Sequence, residues 1–251
     1  MKKNIIAMAV AAAVAAPAAA IADTTLYGKI HVSYDIFGGD TADNADYSLA
    51  SNSSRIGIKG KEAISDDLSL IYKWENELDW GGTKGDGLKS SDTRNTYVGF
   101  TGGWGTMYVG AHDTPFKGVR GKYDLFGDTV GDARSILRGR AVEDEGNNWD
   151  QRYNNTLAYV TPDMGGFQAK VSYISDTEDL NNETDALSAS ASYEIGGFGI
   201  IAGYEQHNRD YSGTAEEDSQ NSYRVAAQFK TGGFKVMGLY QGVENVNYLT
   251  E

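Results

Sequence analysis

From Thr24 onward, apolar and polar residues alternate at every second position in segments of about ten residues, separated by turns rich in Gly, Asp and Asn. The segment 68–75 is typical: one face carries Leu68, Leu70, Tyr72 and Trp74, and the other carries Ser69, Ile71, Lys73 and Glu75. The same period is found in 26–34, 55–60, 152–160, 167–173, 187–193, 198–204, 223–229 and 234–241, and is least clear in 94–100 and 106–111. A period of two indicates β-structure, so the pattern predicts about eleven strands and no long helix.

The lengths of these segments and of their connections distinguish between two kinds of all-β protein. Strands of soluble proteins average about five or six residues, whereas a tilted strand needs about ten to cross a bilayer. Short turns such as 62–67 and 194–197 alternate with long polar stretches such as 38–52 and 206–221. Because both features are typical of antiparallel transmembrane β-barrels, we predict this fold class.

Residues 1–22 have the pattern of a secretory signal peptide. Lys2 and Lys3 precede an apolar stretch, and Ala20-Ile21-Ala22 is a cleavage site of the small-x-small type. The apolar stretch is shorter than the roughly 20 residues of a membrane-spanning helix, and no later stretch is apolar enough for one. We therefore predict an exported chain whose mature domain is 23–251.

Composition excludes several functional classes. The chain has a net charge of −13 and an isoelectric point of about 4.6, which opposes a nucleic-acid partner, and it has no cysteine for a disulfide or a thiolate metal site. The histidines have no metalloprotease spacing, and no serine-nucleophile, phosphate-loop or dinucleotide-binding motif occurs. We predict no enzymatic activity, no cofactor and no metal site.

If the apolar faces contact lipid, the opposite faces line an aqueous lumen. Five cations lie on these polar faces: Lys29, Arg55, Lys59, Arg94 and Arg152. Arg152 is opposite in parity to Tyr153, Leu157 and Tyr159, which the alternation places towards lipid. A sheet that curves into a barrel would bring the five cations onto one stretch of inner wall.

The segment 115–149 is the candidate acidic counterpart of this basic wall. It is too long for a simple connection and has no clean periodicity, which is typical of a functional or a disordered loop. It contains the acids Asp124, Asp128, Asp132, Glu143, Asp144 and Glu145, and the apolar residues Phe116, Tyr123, Leu125 and Phe126 that could hold it against a wall. Opposed charges across a narrow gap would order water and dipolar solutes while small polar species pass. Solvated loop charges without such a role are an equal alternative on composition alone.

Several short motifs resemble those of the Gram-negative general diffusion porins, a family of 16-stranded trimeric outer-membrane barrels. They are Leu26-Tyr-Gly-Lys29 and the segments 54–60, 94–100, 103–115, 123–129 and 152–156. The resemblance implies a homotrimer in contact with outer-membrane lipid and lipopolysaccharide, which conducts ions and small hydrophilic solutes passively. It also implies that the third long loop folds into the barrel, where its acidic residues face a basic wall. Asp124 and Asp128 match the acidic residues of the family. The residues that match the basic wall are Lys29, Arg55, Arg94 and Arg152.

The chain departs from the family pattern in length and at its end. Family members exceed 300 residues and end in an aromatic residue, whereas this sequence stops at Glu251 after about eleven strands. Because unpaired strand edges are costly in lipid, we expect either a fragment that lacks about five strands or a damaged gene. Two alternatives stay open: a soluble exported β-sandwich that acts as an adhesin or binds carbohydrate, and a solute-specific outer-membrane channel.

Overall fold

The computed structural model describes residues 23–36, 47–80, 88–137, 149–175, 183–209 and 219–244. The predicted signal peptide 1–22 and the acids Glu143, Asp144 and Glu145 lie outside the described residues.

The described chain is built almost entirely from β-strands. The strands are β1 (Thr25–Lys29), β2 (Val32–Ile36), β3 (Tyr47–Ser51), β4 (Arg55–Ser65), β5 (Leu68–Leu78), β6 (Leu88–Thr93), β7 (Thr96–Gly102), β8 (Gly105–Asp113), β9 (Arg152–Val160), β10 (Phe167–Ser175), β11 (Glu183–Ile195), β12 (Phe198–Arg209), β13 (Gln220–Thr231) and β14 (Phe234–Glu244). Only two or three residues separate β1 from β2, β3 from β4 and β6 from β7, so these segments form eleven long strands. The predicted number of strands is therefore confirmed.

The strands pair antiparallel with their neighbours in sequence. The main sheet has the order β1-β4-β5-β7-β8-β9-β10-β11-β12-β13-β14, β6 also pairs with β5, and β2 pairs with β3. Within the described residues, β1 has only β4 as a partner and β14 has only β13, so the sheet is open at these two edges. The antiparallel prediction is confirmed, and the described strands form the wall of an open barrel.

Two short helices lie within the segment that connects β8 to β9. They are α1 (Pro115–Gly121) and α2 (Arg134–Leu137). Thr114 caps α1 by accepting the N–H of Lys117 at 3.2 Å, and Pro115 occupies the first turn, where its missing N–H has no cost. Helix α1 packs on β10, β11, β12 and β13. We call the face of the sheet that contacts α1 the inner face.

Side chains of opposite character occupy the two faces of the sheet. On β13, Tyr223, Val225 and Phe229 are exposed on the outer face, whereas Ser222, Arg224 and Ala226 between them are buried on the inner face. On β5, Trp74 is 43% exposed, and no second sheet covers this strand in the described part of the chain. This single layer excludes the β-sandwich alternative, because a sandwich would bury the apolar row of β5 against a second sheet.

The alternation fails at the start of β9. The pattern predicted Tyr153 on the lipid side with Leu157, and this is wrong, because Tyr153 is 5% exposed while Leu157 is exposed. The pairing of β8 with β9 shifts register between Gly110 and His112, and Asn155 has a positive φ of 49°. Such a bulge reverses the direction of the residues that precede it, so Tyr153 turns inward.

The apolar core lies between α1 and the inner face. Phe116 and Val119 are fully buried, and Val119 packs with Tyr123, Ile201 and Ala226. Gly203 on β12 makes this close approach possible, because a Cβ at that position would lie 2.6 Å from Cγ2 of Val119. The helix is thereby held inside the curve of the sheet.

In the described residues, no helix has the length and apolar character needed to cross a membrane.

Candidate functional site

Arg224 on β13 contacts both ends of the connection between β8 and β9, residues 114–151, which we call the inward segment. Its Nη1 donates to Oδ1 of Asp150 at 2.6 Å and to the carbonyl oxygen of Phe116 at 3.4 Å. Its guanidinium carbon also lies 4.2 Å from the centroid of the Phe116 ring. The side chains of Arg224 and Asp150 are both 0% exposed. One buried cation therefore fastens residues 116 and 150 to the same strand.

A second cation, Arg120 on α1, gathers three carboxylates of the segment. Its Nη1 donates to Oδ1 of Asp132 at 2.7 Å and to Oδ2 of Asp124 at 3.0 Å. Its Nε lies 3.2 Å from Oδ2 of Asp150. Asp124 and Asp132 are therefore bound within the segment itself and make no ion pair with the cations predicted on the wall, as far as the described residues extend.

Asp124 also organises the backbone that follows α1. Its two carboxylate oxygens accept the N–H groups of Phe126 at 2.9 Å and of Ala133 at 3.0 Å. Burial opposes ionisation of this carboxyl, but the two N–H groups and Arg120 outweigh that effect and hold the pKa of Asp124 below its ordinary value. The carboxylate is thus kept charged as part of the fold of the segment.

Asp128 is the carboxylate that reaches the opposite wall. Its Oδ2 accepts a hydrogen bond from Nζ of Lys29 at 2.9 Å and lies 3.7 Å from Nη1 of Arg55. Its backbone has a φ of 60°, and its N–H donates to Oδ2 of Asp132 at 2.9 Å. Burial opposes its ionisation, but the hydrogen bond from Lys29 and the charges of Lys29 and Arg55 lower the pKa of Asp128. The tip of the segment therefore meets β1 and β4.

Glu75 on β5 is an acidic centre within the basic wall. It is 3% exposed and accepts hydrogen bonds from Nε of Arg94 at 2.8 Å and from the hydroxyl of Tyr27 at 2.8 Å. Nζ of Lys73 lies 3.3 Å from it, and Nη1 of Arg94 donates to Glu77 at 3.0 Å. The charge of Arg94 is therefore largely compensated on the wall.

Arg152 is compensated in a similar way. Its Nη2 donates to Oδ1 of Asp113 at 2.9 Å, and Nζ of Lys117 lies 2.7 Å from the same oxygen. Lys59 lies apart from these pairs, with its Nζ 5.6 Å from the centroid of the Tyr27 ring.

The charged groups surround one cavity of about 780 Å³ between the inward segment and the wall. Its cationic lining residues are Arg55, Arg94, Lys117, Arg120, Arg134 and Arg152, and its acidic ones are Glu77, Asp113, Asp124, Asp128 and Asp132. Six of the eight residues predicted from the sequence line this cavity, Lys29 reaches it through Asp128, and Lys59 lies outside its lining.

Sequence reasoning did not single out Glu75, Asp113, Arg120 or Arg224. The alternation did place Glu75 on the polar face with Lys73, so a search of the same face for acids would have found it. The inner-face tyrosines Tyr97 and Tyr108 were missed because Val98 and Val109 beside them obscured the pattern.

A single curved antiparallel sheet with an apolar outer face, a polar inner face and an inward charged segment defines a membrane channel of the β-barrel type. The family model for Gram-negative porins matches residues 7–249, and the chain belongs to this family. The prediction made from the motifs is therefore confirmed.

Two curated relatives match over most of this chain. Outer membrane porin protein 32 of Delftia acidovorans is 28% identical over 254 residues, which are 96% of this chain and 69% of the relative. Outer membrane protein U of Vibrio parahaemolyticus is 29% identical over 268 residues, or 96% of this chain and 70% of the relative. The chain thus spans about 70% of the length of these relatives.

Two solved structures share the fold. An anion-selective porin from Comamonas acidovorans has a TM-score of 0.71 at 24% identity, over 88% of this chain and 68% of that one. OmpF of Salmonella typhi, in a complex with daunomycin, has a TM-score of 0.69 at 20% identity, over 88% of this chain and 66% of that one. The protein is an outer-membrane porin with the β-barrel fold, and its family and relatives are channels.

Proposed function

We propose that this porin passes ions and small hydrophilic solutes by passive diffusion, without catalysis, through a lumen narrowed by the segment 115–149. The observation that supports the narrowing best is the contact of Asp128 with Lys29 and Arg55. It joins a segment anchored on β13 to strands β1 and β4 at the other side of the sheet. A solute that travels along the inner face must pass beside this contact.

We assign different roles to the predicted residues, and the charges around the cavity support this assignment. Arg55, Arg94 and Arg152 form the basic side with Lys29, and Asp128 forms the acidic side that faces them. Asp124 and Asp132 hold the segment in place through Arg120 while adding negative charge to the lining. Lys59 adds positive charge to the wall beyond the cavity. In walls of low dielectric constant, such a distribution favours polar solutes and discriminates between ions by sign.

We also propose that the channel is a homotrimer surrounded by outer-membrane lipid and lipopolysaccharide. The exposed apolar outer face supports contact with lipid, and membership of the porin family supports the trimer. Chemical cross-linking in outer-membrane vesicles, followed by denaturing electrophoresis, tests the trimer, and a ladder that ends at the monomer contradicts it.

Planar-bilayer recording tests the channel and its basic side together. A version of this porin with the full length of its curated relatives should conduct, and Arg55→Ala or Arg152→Ala in it should shift the reversal potential in a salt gradient toward cation preference, because each removes a positive charge from the cavity. Lys230→Ala is the matched control, since Lys230 lies at the exposed end of β13 away from the cavity. The proposal is overturned if that version does not conduct, or if the arginine variants behave like Lys230→Ala.

A further inference from the structure

A second cavity of about 440 Å³ lies on the other side of α1, toward the short turns of the sheet. Lys73, Tyr97, Tyr108 and Lys170 line it, whereas the larger cavity is lined by residues nearer the long connections, such as Glu77 and Arg94. Gly118 and Gly121 of α1 line both cavities, so the helix separates them. A solute that passes the segment 115–149 would enter this second space next.

The second cavity differs from the first in charge. Its lining has three lysines, Lys73, Lys122 and Lys170, and one carboxylate, Asp113, which is already paired with Arg152 and Lys117. Glu75 and Glu194 pair with Lys73 and Lys122 from outside the lining.

Lys170 is the cation that these acids leave uncompensated. Among the described residues, no carboxylate lies within the 4.0 Å ion-pair distance of its ammonium group. The charge of another cation, Lys122, acts on it by repulsion. The cavity therefore presents a positive charge without a counter-ion from the described chain.

An aromatic surface lies beside these lysines. The rings of Tyr97 and Tyr108 have centroids 4.5 Å apart, and the rings of Tyr108 and His112 have centroids 4.7 Å apart. Gly99 and Gly110 on the paired strands allow this close arrangement, because a Cβ at Gly99 would lie 2.5 Å from Cβ of Tyr108 and one at Gly110 would lie 2.8 Å from Cα of Tyr97. Aromatic faces of this kind stack with planar groups.

His112 supplies a hydrogen-bond acceptor in the same lining. Its Nδ1 lies 3.0 Å from the carbonyl oxygen of Asp113, and since a carbonyl only accepts, Nδ1 carries the proton. Its Nε2 is buried and has no hydrogen-bond partner in the described part of the chain. A buried acceptor is normally satisfied, so a hydroxyl of a bound solute is a suitable donor.

We propose that this cavity binds a small planar organic anion, with its carboxylate at Lys170, its ring against Tyr97 and Tyr108, and a hydroxyl directed at His112. This deepens the proposed function and rests on it, since the solute reaches the cavity through the lumen. The site would concentrate such anions behind the segment 115–149 and favour their passage over that of neutral analogues.

Equilibrium dialysis with the full chain in detergent micelles tests the site without any need for conduction. The probe is 4-hydroxybenzoate, and its neutral analogue 4-hydroxybenzamide has the same ring and hydroxyl. We expect the anion to bind about tenfold or more tightly than the amide, as a charge-assisted hydrogen bond would give. Equal binding of the two probes, or none of either, overturns the proposal.

Three variants identify the residue responsible. Lys170→Gln should reduce 4-hydroxybenzoate binding to the level of the amide, and Lys170→Arg should retain it because the charge stays. Lys61→Gln removes a lysine of β4 that does not line the cavity and should bind as the wild type does. Equal binding by Lys170→Gln and Lys61→Gln contradicts the site.

The same preparations separate this inference from the proposed function. If they conduct in a planar bilayer but bind no anion, the second cavity is not a binding site and the channel stands. If they bind the anion but the version with the full length of the relatives does not conduct, the cavity is a binding site and the channel function is refuted.

Discussion

The segment 115–149 is attached to the sheet at two regions that differ in burial. At β13, Arg224 and Asp150 are both 0% exposed, and Arg120 joins them to the rest of the segment. At β1 and β4, the side chains of Lys29 and Asp128 are 37% and 31% exposed. Removal of one partner of a buried ion pair strongly lowers stability because it leaves an unpaired buried charge, whereas exposed pairs contribute little to stability. The first region therefore positions the segment, and the second carries the charges that we propose for the narrow part of the lumen.

This comparison explains why similar carboxylates have different tasks. Asp124 and Asp132 face Arg120 and the backbone, so they act on the conformation of the segment. Asp128 has a backbone φ of 60°, and its side chain contacts Lys29 and Arg55 on the wall. Variants of the two kinds should therefore change different properties, stability for one and ion preference for the other.

The largest effect is expected from Arg224→Met, which removes the buried attachment. Asp150 is left buried without its strongest partner, and such a change costs about 3–5 kcal/mol. We expect the free energy of unfolding in micelles, measured by urea titration, to fall by about this amount and the segment to become accessible to protease. Arg55→Met is the matched control at the exposed region and should change stability far less.

A double variant sharpens that result. Arg224→Met combined with Asp150→Leu removes both charges, so no unpaired charge stays buried, and stability should recover in part. If Arg224→Met and Arg55→Met lower the free energy of unfolding by the same amount, the two regions do not differ in the way that their burial indicates.

An intermediate effect is expected from acid titration of the exposed region. The folded-state pKa of Asp128 is lowered, so its contact with Lys29 and Arg55 contributes fully above the ordinary aspartate pKa of about 3.9 and is lost as the pH falls through the lower folded value. The contribution to stability is about 1 kcal/mol or less because the pair is partly exposed. In bilayers, protonation of Asp128 should shift the reversal potential toward anion preference.

Asp128→Asn should show that shift already at neutral pH and lose this part of the acid response. Asp163→Asn is the control, because Asp163 is exposed in a short turn, where it accepts the N–H of Gly166 at 3.0 Å and does not line the larger cavity. If the reversal potential of Asp128→Asn still shifts with acid as that of the wild type does, Asp128 does not lie in the narrow part of the lumen.

The smallest effect is expected from Lys59→Gln. Lys59 is on the predicted basic wall, but it does not line the larger cavity and lies near the ring of Tyr27. In the same salt gradient, Lys59→Gln should shift the reversal potential from the wild-type value by much less than Arg55→Gln does. If Lys59→Gln shifts the reversal potential as much as Arg55→Gln does, the narrow part of the lumen also includes Lys59 on β4.

The outer face was predictable because it follows from a local rule. Successive side chains of a strand point to opposite faces, so Tyr223, Val225 and Phe229 had to share the outer face once β13 was a strand. The same rule placed Lys29, Arg55 and Arg94 on the inner face. It failed at Tyr153, because a bulge depends on the pairing of two strands and leaves no periodic signal in either one.

The amino-acid sequence by itself determined the class of fold, the number of strands and the family, and it predicted several of the charged residues that line the larger cavity. Only the tertiary structure decided which acid meets which cation: Asp128 with Lys29, Asp124 and Asp132 with Arg120, and Asp150 with Arg224. Alternation acts between adjacent residues and can be followed along the chain. The pairs of Asp128 with Lys29 and of Asp150 with Arg224 join residues 99 and 74 positions apart, and they form because the segment packs against the sheet. The pairs of Arg120 with Asp124 and Asp132 are closer in sequence, but they depend on how the segment folds on itself.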